Sequence, residues 1–170
     1  MKGSAVRPGT FLLRILAAGG LLLAGAAQAE AILGKVIEVP DGETLVIAQS
    51  GRSHTVHLAA IDAPEPGQPH AAQSTEALRK HVHGRQVRAW CPPSAQHGRR
   101  TCFVFLDRVD VGRAQVRFGH AWWLGPKVTA QLPAAGWSYE ISEGVARDER
   151  RGLWAGASPV APWVWRGGGR

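Results

Sequence analysis

Two short acidic runs and a basic turn carry the chemical signal in this sequence. Asp41-Gly42-Glu43-Thr44 and Ile61-Asp62-Ala63-Pro64-Glu65 each hold a pair of carboxylates, and His97-Gly98-Arg99 presents an arginine. Clustered carboxylates with backbone carbonyl oxygens are the donors that a hard cation such as Ca2+ requires. The plainer alternative is that Asp41 and Glu43 serve a solvated turn, since Asp-Gly is a hairpin signal, and that Asp62 ends a strand. The two cysteines, Cys91 and Cys102, flank the basic turn. An even count suits a disulfide in an oxidising compartment. Zinc is the second choice, with His81, His83 and His97 nearby, although no C-x-x-C pair supports it.

These residues have to be positioned by strands. Ile32 to Val39 reads as a strand, Pro40-Asp41-Gly42 as a turn and Thr44 to Ile47 as a second strand. Ser50-Gly51 turns again before a third strand, Thr55 to Ile61, which the Pro-rich stretch Ala63 to Pro69 stops. On that plan Glu43, Asp62 and Glu65 converge at one rim. Ala71 to His83 reads as a helix, with Thr75, Leu78 and Val82 on one face and Gly84 after its end. Two cysteine-bearing strands follow. Val111 to Phe118 and Tyr139 to Arg151 read as helices, and Gly125 to Gly136 as a surface loop. The order predicts a mainly β fold with helices (α+β): a five-stranded Greek-key barrel of the OB type with about three helices.

The composition fits one domain. The chain has 170 residues, 45% hydrophobic and 19% charged, which excludes a disordered polymer. Its net charge of +7 hints at a polyanionic partner. Part of that charge sits in residues 1–29, where Lys2, Arg7 and Arg14 precede an apolar run and Ala27-Gln28-Ala29. This is the pattern of a secretory signal, with an uncleaved anchor as its rival. Removing those three positives lowers +7 to +4. The reading is an exported protein, periplasmic or secreted, without a membrane anchor after cleavage, and a monomer. The expected organisation is signal 1–29, domain 30–154 and a Pro/Trp-rich tail 155–170 that packs back on the domain.

The ordered set D-G-E-T, V-H-L-A-A-I-D-A-P-E, G-R, A-R-D-E-R-R-G-L-W and P-W-V-W-R resembles the thermonuclease (staphylococcal nuclease-like) family from Leu33 to about Arg166. D-G-x-T alone is a weak signal; the ordered set is specific. The cysteine pair resembles an exported bacterial branch in which two cysteines bracket the G-R turn. The resemblance implies a Ca2+-dependent phosphodiesterase that cuts DNA and RNA. It implies Asp62 and the backbone carbonyl of Ala63 as metal ligands, Glu65 as the group that activates water, and Arg99 as a phosphate-binding arginine.

Two positions depart from that pattern. The second aspartate of the family's D-G-D-T is Glu43, one methylene longer, and the first of its two arginines is His57. A misplacement of ~1 Å at a ligand can cost on the order of 10²-fold in rate. Histidine lacks arginine's two-pronged grip, and only about a quarter of it is charged at pH 7 at its ordinary pKa. Losing one preorganised donor costs on the order of 10²–10³-fold. His57 is read either as the weakened phosphate-binding cation or as a strand residue facing solvent. Weakened catalysis is one reading of the whole chain. The alternative is an inactive OB-fold module of the cell envelope that binds nucleic acid or another ligand. Trp90, Trp122, Trp123, Trp154, Trp163 and Trp165 suit either stacking on bases or packing helices and tail onto the barrel. Lys127 and Tyr139 are further candidates to reach substrate.

Overall fold

Ile32, Gly34 and Val36 are buried and alternate with exposed Ala31, Leu33, Lys35 and Ile37, the two-residue period of a strand with one face on a core. The computed structural model describes residues 30–93, 100–128 and 133–168. The segment read as a signal and the His97-Gly98-Arg99 turn lie outside the described residues. The strands are β1 (Glu30–Glu38), β2 (Thr44–Gln49), β3 (Arg52–Leu58), β4 (Ile61–Asp62), β5 (Gln86–Cys91), β6 (Thr101–Leu106), β7 (Val109–Asp110) and β8 (Trp122–Trp123). The helices are α1 (Ala71–Val82), α2 (Val111–Arg117), α3 (Pro133–Asp148) and α4 (Pro162–Arg166), with a 3-10 turn at Gly152–Ala155. No described helix is long and apolar enough to cross a membrane.

Five strands close into the expected barrel. β1 pairs antiparallel with β2 at one end and with β5 along Glu30↔Cys91 to Lys35↔Gln86. It therefore bends from one neighbour to the other, and its ladder with β2 is irregular between Val36 and Glu38. Gly34 permits the crossing, because a Cβ there would stand 2.3 Å from the Ala48 carbonyl oxygen. β5 pairs with β6, and the parallel contact His57↔Thr101 and Leu58↔Cys102 joins β6 to β3 and shuts the ring. Ile32, Val36, Leu45, Ile47, Val56, Val87 and Val104 fill it with no exposed surface to speak of. α1 plugs one side through Ser74, Leu78 and Val82, so the buried face starts one residue before the predicted Thr75.

Several boundaries differ from the sequence-based expectation. The third strand stops at Leu58 because Ala60 adopts a left-handed φ of 67° and redirects the chain into β4. β4 is then held by β8 through Asp62↔Trp122. Part of the expected loop 125–136 is the first turn of α3, which begins at Pro133, a position where proline's missing N–H costs nothing. The tail contains α4, so the described residues hold four α-helices where about three were expected.

Cys91 and Cys102 are joined in a disulfide with a Cα–Cα distance of 4.1 Å. That resolves the choice left by the sequence in favour of the cross-link over zinc. It clamps the end of β5 to the start of β6 and, closing a loop of this length, is worth about 3 kcal/mol in the chain-entropy account.

Candidate functional site

The turn before β2 is built to aim side chains. Asp41 accepts from the Glu43 N–H at 2.9 Å and from the Thr44 hydroxyl at 2.9 Å, so its carboxylate shapes the turn. Asp41 therefore serves its own turn while also lining the cavity of the site. Gly42 presses against α1, where a Cβ would come within 2.0 Å of Ser74 Oγ and 2.9 Å of Ala63 Cβ. The buried Gln115 of α2 donates to the Gly42 carbonyl at 3.0 Å and to the Ser74 carbonyl at 3.2 Å. The turn, α1 and α2 are thereby locked together beneath the site.

Glu43 leaves this turn and crosses to the second acidic run. Its Oε2 accepts from the Ala63 N–H at 2.9 Å, which places the longer side chain beside Asp62 and Ala63. The carboxylate of Asp62 is 8% exposed. Glu65 is partly exposed on the Pro-rich loop, and its N–H donates to Gln68 Oε1 at 2.9 Å. Gln68 is itself buried, and its Nε2 donates to the Val160 carbonyl at 2.5 Å. One amide thus ties the glutamate's loop to the tail.

His57 is half-buried and stands opposite Thr44 across the β2–β3 ladder. Its Nδ1 lies 3.1 Å from Thr44 Oγ1. Since the single hydroxyl proton of Thr44 goes to Asp41, Nδ1 is the donor in this contact. His57 is thus held half-buried at the wall of the site.

Asp41, Glu43, His57, Asp62, Ala63, Glu65, Thr101 and Arg166 line one open cavity of about 620 Å3. The structure thus brings together Glu43, Asp62, Ala63, Glu65 and His57, five of the residues singled out by sequence. Arg99, the sixth, lies outside the described residues. Among the described residues no three His, Cys, Asp or Glu side chains cluster closely enough to hold an ion by themselves. The set implied by resemblance needs only two carboxylates and a carbonyl. The structure is compatible with that set: Glu43 accepts from the Ala63 N–H beside the buried Asp62, and the Asp62 carboxylate already accepts hydrogen bonds from a cationic group. An all-oxygen set of this kind suits Ca2+.

That positive charge is Arg166, at the end of α4. Its Nη2 donates to Asp62 Oδ2 at 2.7 Å and its Nη1 to Asp62 Oδ1 at 3.2 Å. Nη1 also donates to Glu65 Oε1. Hydrogen bonding to Asp62, then to Glu65, raises the guanidinium's pKa above its ordinary value. The sequence carried no local sign of this contact, because the partners are 104 residues apart. Gln68 and Gln115 were missed for the same reason.

The remaining aromatic candidates are mainly structural. Trp122 and Trp154 stack edge to face at 5.5 Å, with Arg147 over Trp154 at 4.0 Å, and Trp90 lies 5.9 Å from Phe103. Tyr139 does not reach the cavity; it is fully buried and donates to Asp110 at 2.8 Å. A second cavity of about 390 Å3, lined by Trp122, Leu153, Pro159 and Trp165 among others, lies beneath the tail.

The family described as staphylococcal nuclease homologue matches residues 55–156. An uncharacterized endonuclease of Escherichia coli O157:H7 is 32% identical over 136 residues, covering 79% of this chain and 85% of that protein. A micrococcal nuclease of Shigella flexneri is 27% identical over 166 residues, covering 91% of each. A probable staphylococcal-like nuclease of Oryza sativa subsp. japonica is 32% identical over 133 residues, which span 78% of this chain and 33% of the larger plant protein.

Proposed function

The chain belongs to the staphylococcal nuclease homologue family, and on that premise we propose that it is an exported, Ca2+-dependent phosphodiesterase that hydrolyses DNA and RNA. The observation that carries the reading is the convergence of Glu43, Asp62, Glu65 and His57 on one cavity. Asp62, Glu43 and the Ala63 carbonyl are the groups that would hold Ca2+. When bound there, the cation supplies charge stabilisation to the phosphoryl oxygens. Glu65 takes a proton from water, whose oxygen bonds to phosphorus as the ester bond to the leaving sugar oxygen breaks; that oxygen then gains a proton. His57, which lines the cavity, is the cation on this side for the developing negative charge, and the family resemblance assigns the same duty to Arg99. His57 gives a weaker grip than arginine, so the enzyme is slower than a member with arginine at that position. Residues 1–29 direct export, which fits the Cys91–Cys102 disulfide.

The test is cleavage by purified residues 30–170 of single-stranded DNA, RNA and plasmid, with Ca2+ or with chelator. Cleavage that chelator stops and Glu65→Gln reduces by at least 10²-fold is expected. Binding without cleavage would overturn the enzyme in favour of an inactive binding module.

A further inference from the structure

Arg166 occupies two of the three carboxylates that the proposed function needs, Asp62 and Glu65. Its guanidinium takes both oxygens of Asp62 and reaches Glu65, the groups assigned to the cation and to the attacking water. The geometry is a cover and not a buried strut: the Asp62 side chain is 8% exposed and that of Arg166 is 50% exposed.

The anchoring of α4 lies upstream of the arginine. Pro162 is buried, Trp165 lines the cavity beneath the tail and Gln68 holds Val160. Gly167 and Gly168 follow Arg166. None of these anchors involves the Arg166 side chain, so holding α4 in place does not require its contact with the carboxylates.

The charge balance gives it a destination. Asp41, Glu43, Asp62 and Glu65 line the cavity, and Arg166 is the one arginine or lysine among the described residues that line it. Four carboxylates repel an entering phosphodiester, which makes each cation at the cavity count, and a guanidinium binds phosphate through the same two-pronged contact it makes with carboxylate.

We propose that Arg166 is a substrate-binding residue with two stations: on Asp62 and Glu65 in the cation-free protein, and on the phosphodiester once a divalent cation takes Asp62. The proposal rests on the cation reading given above. It makes cation and substrate binding mutually reinforcing, because each favours the same position of one side chain.

The experiment measures Ca2+ binding by calorimetry without nucleic acid, and KM and kcat on single-stranded DNA with Ca2+. It uses residues 30–170, Arg166→Gln and Arg166→Lys, with thermal unfolding to confirm that each is folded. Arg166→Gln is expected to bind Ca2+ on the order of tenfold more tightly and to raise KM on the order of tenfold, since a charge-assisted pair is lost at each station. Arg166→Lys, which keeps a charge but not the fork, falls between and carries the test if the glutamine variant does not fold. Unchanged or weaker Ca2+ binding in the variants overturns the first station, and an unchanged KM overturns the second. Equal Ca2+ binding by all three proteins with cleavage intact sinks this proposal alone. No Ca2+ binding by any of them sinks the cation reading as well.

Discussion

Shortening Glu43 to aspartate restores the family's residue, yet the structure says that it destabilises the protein. The Glu43 carboxylate reaches the Ala63 N–H at 2.9 Å, and Ala63 is buried, 5% exposed. Removing one methylene withdraws the oxygens by about 1.5 Å, a single C–C bond length, which puts the contact beyond hydrogen-bond range. A charge-assisted bond to a backbone N–H is worth about 1.5–3 kcal/mol, and the N–H left behind has little access to water. For a domain of this size that loss lowers the unfolding midpoint by roughly 3–12 °C. Thermal unfolding of residues 30–170 at pH 7 in chelator measures it. Glu43→Gln keeps both reach and acceptor and should lose about 1 kcal/mol or less. A Glu43→Asp protein as stable as the parent would refute the link between the two acidic runs. Glu43→Asp combined with His57→Arg should still raise cleavage in Ca2+ by orders of magnitude; no change would sink the assigned roles of both positions.

Two further outcomes follow from the same structure. Replacing Cys91 and Cys102 together by serine should cost about 3 kcal/mol in denaturant unfolding, and reductant should reproduce the loss in the parent; no difference would exclude the cross-link. His120 lies 3.0 Å from His70, ring nitrogen to ring nitrogen, and burial followed by the charge of His70 pushes its pKa down to about 4. The unfolded chain therefore binds this proton more readily, and stability present above pH 6.5 is lost as pH falls from 6.5 towards 4. The loss is about 1–2 kcal/mol after allowance for partial exposure, read from urea unfolding at pH 7 and pH 4.5. His120→Gln should flatten that dependence, and an unchanged slope would show that the pair does not control it.

Much of the barrel was legible because its determinants are local. The Ser50-Gly51 turn shows as two consecutive positive φ values, 49° and 77°, which match the twist of a tight hairpin. The β1 alternation, the α1 face and Gly84 after it are similarly written in neighbouring residues. The Ala60 reversal was not, because an alanine in a left-handed conformation has no sequence signature; contacts with β8 hold it there.

At the site, the sequence by itself determined which groups are present: the two acidic runs, the cysteine pair, and histidine at position 57 where the resembling family has arginine. Their order along the chain was enough to assign a chemistry. Only the tertiary structure decided how they meet. It showed that Asp41 serves its own turn, that Glu43 spans to Ala63, that His57 faces the cavity, and that Arg166 covers Asp62. Side-chain type is a property of single positions, whereas an ion pair between residues 104 positions apart exists only after the barrel closes and the tail docks against it.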